Sequence, residues 1–241
     1  MKINRRIIKG SSRRLTVSIL RRSRRAREKR KLMEPYAQED SIELFFQNEL
    51  IFMPDSGGVM TQHYKSGIFY EMGMLEAIRS LARPGTYIDV GANIGNHSLF
   101  FEMFCPSERV IAFEPLQVAL GFLKKTRKFN QLQFEIHELG LSDHHGKLET
   151  AIGPKTYTIP VIPLDDFNLD DVSIVKMDIE GMEPEAIRGM SETLLRCRPI
   201  LFIEAHTQDE INEQENILNP LGYQRSGRGW NATPTYEWII S

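Results

Sequence analysis

The sequence predicts an α/β fold built on a doubly wound, mostly parallel sheet. From residue 68 onward, short apolar runs alternate with longer runs in which apolar residues recur at helical spacing, which is the pattern of strands connected by helices. The chain ends on two strand-like runs, "YQRSG" and "TYEWIIS", which predict a hairpin with an antiparallel last strand. Ligands of such sheets bind where strands end and loops begin, so those positions are the first candidates for a functional site.

The predicted elements follow one another in a regular order. The first helix is indicated by apolar positions between residues 68 and 82, and it ends before Pro84. Strands are predicted at residues 86–90, 109–115, 134–143, 173–181 and 199–205, before the two strands of the hairpin. Helices are predicted from about residue 97, at 116–129, from 183 to about 196, and at 208–219. Residues 144–172 contain three prolines and are therefore predicted not to form one long regular element.

The charges divide the chain into unequal parts. Residues 1–31 contain 14 of the 30 lysines and arginines and a single acid, Glu28, whereas the other 210 residues contain 16 basic and 31 acidic side chains, a net charge of −15. Such a split is typical of a basic arm attached to an acidic domain. We predict a basic amino-terminal arm at 1–31, a lead-in segment of short strands or a lid at 32–67, and the main domain at 68–241.

The basic arm supports several interpretations. Its longest uncharged apolar stretch, residues 15–20, is far shorter than a membrane span or the core of a secretion signal. A segment this rich in charge is predicted to be flexible in isolation, and its isoleucines and leucines among arginines also suit the surface of an anionic membrane. Nucleic-acid binding and an organellar transit peptide are further interpretations. The expected location is the cytoplasm, with peripheral association at the inner face of the membrane.

The segment "DVGANIGNHS" at residues 89–98 resembles a nucleotide-binding turn but departs from it. A dinucleotide turn has the pattern G-x-G-x-x-G, and here Asn93 stands at the position of the middle glycine, so a nicotinamide dinucleotide is disfavoured. Gly91 and Gly95 still allow the backbone to approach a ligand closely. Asp89, at the end of the strand, would repel a pyrophosphate and suits a cationic ligand such as an α-amino or sulfonium group.

Glu114 adds a second requirement on that ligand. It ends the second predicted strand, 25 residues after Asp89, where a carboxylate can accept hydrogen bonds from the two hydroxyls of a ribose. A loop that prefers positive charge, followed by an acid that binds a ribose, indicates S-adenosylmethionine as the cofactor.

Polar side chains at the ends of two later strands are the catalytic candidates. Asp178 and Glu180 follow the fourth strand, and Glu204 and His206 follow the fifth. Ends of neighbouring parallel strands meet at one edge of the sheet, so these four side chains are expected to converge and to remove a proton from a hydroxyl. Glu180 also suits a helix cap and His206 an ordinary surface histidine. The same acids suit a divalent ion such as Mg²⁺, and the spacing alone leaves the metal requirement open.

Six segments together resemble one family. They are "YIDVGANIGNHSLFF", "VIAFEP", "ELGLSDHHG", "IPLDDF", "VKMDIEGMEPEAIRGM" and "LLRCRPILFIEAH", and they are similar to the FkbM-type S-adenosylmethionine-dependent methyltransferases. The resemblance spans residues 68–241 and leaves out the arm and residues 32 to about 60. It implies the class I methyltransferase fold, a Rossmann-like sheet with a reversed last strand. It also implies O-methylation of hydroxyl groups, typically on sugars of surface polysaccharides or glycolipids and on some polyketide natural products.

The resemblance also implies roles for individual residues. The residues expected to surround the methionine part of the cofactor are Asp89, Gly91, Asn93, Gly95 and Asn96. Glu114 is expected to hold the ribose, and the turn with Ser142 and Asp143 to lie near the adenine, where the choice among residues 138–143 stays open. His97 stands where the family often has tyrosine or serine, and a capping or packing role is expected for it.

The expected activity is methyl transfer to a hydroxyl of a neutral sugar in a glycan, glycolipid or related natural product, because an acidic domain disfavours a polyanionic acceptor. A nucleic-acid methyltransferase that uses the basic arm is the alternative. Base-amine methyltransferases carry an Asn/Asp-Pro-Pro-aromatic motif where this chain has "DIEG", which weighs against that alternative. A module that binds the cofactor without turnover is a further hypothesis, and the four strand-end acids at 89, 114, 178 and 204 weigh against it.

Overall fold

A computed structural model of the protein describes residues 24–34, 40–152 and 155–241. The chain forms two compact units, residues 1–70 and residues 71–241. Most of the predicted basic arm therefore lies outside the described residues. None of the helices in the part that is described is long and apolar enough to cross a membrane.

The first unit contains a helix, a hairpin and a second helix. Helix α1 spans Arg24–Met33, strands β1 and β2 span Ser41–Phe46 and Glu49–Pro54, and helix α2 spans Gly58–Lys65. The two strands pair antiparallel through a tight turn in which Gln47 and Asn48 both have positive φ, 46° and 70°, as a two-residue hairpin turn of the type favoured by strand twist requires.

The second unit is built on a seven-stranded sheet. Its strands are β3 (Gly85–Val90), β4 (Ser107–Phe113), β5 (Glu135–His137), β9 (Val172–Met177), β10 (Ile200–Glu204), β11 (Tyr223–Trp230) and β12 (Thr235–Ile240). Their order across the sheet is β11-β12-β10-β9-β3-β4-β5. Neighbours from β5 to β10 pair parallel, and only β12 runs against the others. The predicted fold class, including the antiparallel last strand, is confirmed.

Helices cover both faces of this sheet. They are α3 (Met72–Ser80), α4 (Asn96–Phe104), α5 (Gln117–Asn130), α6 (Glu183–Arg188), α7 (Ser191–Cys197) and α8 (Gln208–Leu218), with 3-10 turns at Leu164–Phe167 and Asn219–Leu221. Strands β3 and β9 are buried at every position, because central strands of a doubly wound sheet have helices on both sides. The predicted continuous helix from residue 183 to about 196 was wrong: it is two helices, broken around Gly189.

Residues 138–172 differ most from the sequence prediction. The predicted third strand at 134–143 is divided between β5 and the short β6 (Gly140–Leu141), which belongs to a separate three-stranded sheet with β7 (Gly146–Ile152) and β8 (Lys155–Ile162). As the prolines predicted, residues 144–172 do not form one long element, and the longest strand in them, β8, extends over eight residues. Pro160 lies opposite Lys147 of β7, one residue before the stretch of β8 that also pairs with β6. At Pro160 itself β8 is paired on one side only, and a strand tolerates proline at such an edge position.

Candidate active site

Both glycines of the loop after β3 are required by contacts inside the protein. Gly91 has a φ of +76°, and a Cβ added there would lie 1.9 Å from the carbonyl oxygen of Asp178. Gly95 has a φ of +87°, and a Cβ there would lie 2.8 Å from Cδ1 of Leu123 in α5. Only glycine meets both demands, positive φ and no side chain. The loop is thus packed between the end of β9 and helix α5, and its contact with a methionine group stays a prediction.

Glu114 is held in place by two backbone N–H groups. Its Oε2 accepts from the N–H of Asn93 at 2.9 Å, and its Oε1 accepts from the N–H of Leu116 at 2.9 Å. Asn93 reaches this position with a φ of +50°, a conformation asparagine adopts more readily than most residues. Burial raises the pKa of Glu114, although both N–H bonds oppose the shift. Each carboxylate oxygen keeps a further lone pair, so the group fits the predicted binding of ribose hydroxyls.

Asp89 is fully buried and already has a counter-charge. Its Oδ2 accepts from the hydroxyl of Ser98 at 2.5 Å, and Nζ of Lys176 lies 3.5 Å from its Oδ1. The sequence reasoning treated this carboxylate as a free negative charge, which was wrong because Lys176 lies directly opposite it in the paired strand β9. Oδ1 still receives no hydrogen bond from a described residue. A buried acceptor without a donor fits the α-amino group of the expected cofactor.

Asp178 and Glu204 meet at the carboxyl edge of the sheet, as predicted. Ile203 pairs with Met177 in parallel register, so the next residue of each strand is adjacent across the edge. The two carboxyl groups share a hydrogen bond. His206 joins them, with its Nε2 3.2 Å from Oε2 of Glu204.

The two carboxyl groups hold opposite protonation states. Burial, together with the hydrogen bond and the negative charge of Asp178, raises the pKa of Glu204 to about 9. Burial acts on Asp178 in the same direction, but the Lys176 ammonium and the hydrogen bond from Glu204 outweigh it, so the pKa of Asp178 lies below its usual value. Near neutral pH, Glu204 is therefore the acid that carries the proton and Asp178 is the charged base.

Glu180, the fourth predicted catalytic residue, is exposed on the turn that follows Asp178, with a φ of +58°. The capping role weighed for Glu180 belongs instead to Glu183, which is 2% exposed. The carboxylate of Glu183 accepts from the N–H of Ile179 at 2.8 Å and from the N–H of Gly181 at 3.0 Å. This buried acid holds the loop after β9 in shape.

Ser142 and Asp143 follow β6 and belong to the small sheet rather than to the seven-stranded one. Ser142 is fully buried and its carbonyl oxygen packs against Gly189. Asp143 is exposed, and a hydrogen bond with His144 lowers its pKa. The preceding segment runs beside the strand end that carries Glu114, since a Cβ added at Gly140 would lie 3.9 Å from Cγ of Pro115. Their predicted contact with adenine stays a prediction.

The sequence reasoning missed Lys176 and Glu71 and expected only a capping or packing role for His97. Lys176 is 2% exposed, and its Nζ donates to the carbonyl oxygen of Gly91 at 3.1 Å and lies 3.8 Å from Oδ2 of Asp178. Glu71 has a φ of +55° and a side chain that is 8% exposed, and its Oε2 lies 2.9 Å from Nε2 of His97. A lysine inside the apolar run "SIVKM" was the available signal, because lysine is almost never fully buried without a partner.

The described residues 24–34, 40–152 and 155–241 contain no cluster of three or more His, Cys, Asp or Glu side chains arranged to hold a metal ion. Buried Asn96, the first residue of α4, completes the loop side of the site. The site thus combines the buried acid Glu114, the glycine loop after β3, and beside that loop the hydrogen-bonded acids Asp178 and Glu204.

Comparison with known proteins agrees with this geometry. The model of the FkbM methyltransferase domain matches residues 144–225, the part of the chain that contributes Asp178, Glu204 and His206. Among curated proteins no sequence matches. The fold is that of the class I S-adenosylmethionine-dependent methyltransferases. The predicted resemblance to the FkbM-type family is confirmed over residues 144–225.

Two solved structures illustrate the likeness. A methyltransferase FkbM from Methylobacillus flagellatus KT is 24% identical, with a TM-score of 0.53 over 65% of this chain and 44% of that one. The ribosomal protein L11 methylase from Lactobacillus delbrueckii subsp. bulgaricus is 14% identical, with a TM-score of 0.51 over 85% of this chain and 90% of that one. Identities this low show the shared fold. The chain spans under half the length of the first protein.

Proposed function

We propose that the protein is an S-adenosylmethionine-dependent O-methyltransferase that acts on a hydroxyl of a sugar in a glycan, glycolipid or related natural product. The observation that carries the proposal is the contact between the two halves of the site. The backbone of Asp178 packs against Gly91 of the loop after β3, so the ionised acid lies directly beside the loop expected to hold the methyl donor.

The chain would bind the cofactor through residues of three strand ends. Glu114 would accept hydrogen bonds from the ribose, Oδ1 of Asp89, which receives no hydrogen bond from a described residue, would face the amino group, and the turn with Ser142 and Asp143 would lie beside the adenine. When bound, S-adenosylmethionine supplies an electrophilic methyl group on a sulfonium.

The acid pair would activate the acceptor. Asp178 would take the proton from the acceptor hydroxyl, so that the hydroxyl oxygen could accept the methyl group that bound S-adenosylmethionine would supply. Glu204, protonated, donates a hydrogen bond to Asp178 and holds that carboxylate in place. His206 has 41% of its side chain exposed and can pass the proton on to solvent after transfer.

Charge supports a neutral acceptor. Residues 32–241 carry a net charge of −15, which repels phosphates and polyuronates.

The decisive experiment incubates the protein with labelled S-adenosylmethionine and separate fractions of cellular glycolipid, polysaccharide and RNA. Label is expected in a carbohydrate-containing fraction and is expected to be absent with Asp178→Asn. Label in RNA, with salt-sensitive binding of an oligonucleotide, would establish the nucleic-acid alternative instead.

The basic arm is proposed to hold the enzyme at an anionic membrane surface. Residues 1–23 contain eight lysines and arginines, and each basic residue near such a surface contributes about 1 kcal/mol of attraction. Removing residues 1–23, which leaves α1 whole and takes away eight of the 14 basic residues of the arm, is expected to weaken sedimentation with vesicles containing phosphatidylglycerol, while neutral vesicles bind neither form. Equal binding of the full and shortened proteins to the anionic vesicles would dispose of the proposal.

A further inference from the structure

We infer that Lys176 is a positioning residue that fastens the cofactor loop to the catalytic acid and supplies the fixed positive charge that keeps Asp178 ionised. The inference deepens the proposed function and rests on it for the catalytic consequence. The structural consequence, a buried charge network that fails without this lysine, stands by itself.

The geometry places one ammonium group among three segments. Nζ of Lys176 donates to the carbonyl oxygen of Gly91 at 3.1 Å, and it lies 3.5 Å from Oδ1 of Asp89 and 3.8 Å from Oδ2 of Asp178. Strand register explains the convergence, since Asp89 is directly opposite Lys176 and Asp178 lies two residues further along the same strand, on the same face. The lysine thus joins the end of β3, the glycine loop and the end of β9.

The surroundings require this lysine to be charged. Burial by itself lowers the pKa of Lys176, but the nearby carboxylates more than reverse the effect, and the pKa is raised. The titratable groups that face this charge or its partner Asp178 are Asp89, Glu71, Glu114, Glu183, Glu204, His97 and His206. The acids in this group outnumber the cations. Without the ammonium, the buried Asp89 and the partly exposed Asp178 would both lose their nearest positive charge, and the pKa of each would rise.

Two substitutions at the site and one elsewhere separate charge from packing. Lys176→Met keeps most of the apolar stem and removes the charge, and Lys176→Arg keeps the charge. Lys147→Met, at an exposed position of β7, is the matched control. For Lys176→Met we expect at least a tenfold loss of affinity for S-adenosylhomocysteine by calorimetry. The acidic limb of the methyl-transfer pH profile should move up by at least one pH unit. Lys176→Arg should restore most of both.

A measurement that needs no acceptor tests the same charge network. In Lys176→Met the folded-state pKa values of Asp89 and Asp178 would lie above their unfolded values, so the folded state binds extra protons and loses stability as pH rises. Its melting temperature should therefore fall between pH 5 and pH 8 more steeply than that of the natural protein or of Lys147→Met. Should Lys176→Met not fold, the double variant Lys176→Met/Asp178→Asn, which lacks one of the two uncompensated carboxylates, is expected to fold and to show a weaker pH dependence.

The outcomes distinguish the two proposals. If Lys176→Met matches the natural protein in both cofactor affinity and pH-dependent melting, the role of Lys176 is refuted. If the natural protein binds neither S-adenosylmethionine nor its product, the proposed function is refuted, while the melting curves still decide whether Lys176 supports the network.

Discussion

At the scale of single residues, the central feature is a proton held by one acid of a pair. Asp178 and Glu204 are chemically alike and occupy equivalent strand ends, yet burial and the Lys176 ammonium separate their pKa values in opposite directions. This separation assigns the base to Asp178 and the hydrogen-bond donor to Glu204. His206, another of the predicted catalytic residues, contacts Glu204 in the structure.

The acid pair predicts the alkaline limit of activity. Because the pKa of Glu204 is about 9, its proton is lost above that pH, and the rate of methyl transfer should fall there. Glu204→Gln cannot ionise and still donates a hydrogen bond, so its pH profile should stay level through pH 10. Asp178→Asn should lower kcat by about 10²–10³-fold at every pH, with cofactor affinity within about threefold. An unchanged alkaline limb in Glu204→Gln would show that another group titrates.

At the scale of elements, strand and helix ends are set by close contacts as much as by local propensity. The loop after β3 and the loop after β9 touch at Gly91, where a Cβ would lie 1.9 Å from the Asp178 carbonyl oxygen. Helix α6 ends just before Gly189, where an added Cβ would lie 1.9 Å from the carbonyl oxygen of Ser142. In both places two segments far apart in sequence meet backbone to backbone, which leaves room only for glycine.

The contact at Gly91 predicts a large effect of one methyl group. Gly91→Ala combines a left-handed φ with a backbone clash, and it should lower the free energy of unfolding by about 3 kcal/mol. Gly121 in α5 has no heavy atom within 4 Å of an added Cβ, so Gly121→Ala should raise stability by about 0.5–1 kcal/mol. Urea denaturation of both variants measures the difference. Equal effects would mean that the loop moves freely away from Asp178.

At the scale of the whole molecule, the residue 71–241 unit is a class I methyltransferase fold whose chemistry lies at one edge. Glu114 and Asp89 end strands on one side of that edge, and Asp178 and Glu204 end the strands beside them. Parallel strands bring their carboxyl ends to a common edge, so the predicted cofactor site and the acid pair are neighbours.

This arrangement predicts that the cofactor product stabilises the fold. S-adenosylhomocysteine at about 100 times its Kd should add about 2.7 kcal/mol to the free energy of unfolding and raise Tm by roughly 5–10 °C. Glu114→Ala should abolish most of this shift, since it removes the ribose acceptor, and NAD should leave Tm unchanged. A shift with NAD and none with S-adenosylhomocysteine would overturn the assignment of the loop.

Local patterns in the sequence determined the order of strands and helices, the antiparallel last strand, the glycine loop and the positions of the strand-end acids. These follow from hydrophobic periodicity and from residue chemistry, which are readable along the chain. The tertiary structure alone decided that Lys176 neutralises Asp89, that Glu183 rather than Glu180 caps the loop after β9, and which of Asp178 and Glu204 holds the proton. Protonation and charge balance depend on burial and on neighbours brought together from separate strands, and no spacing along the sequence encodes them.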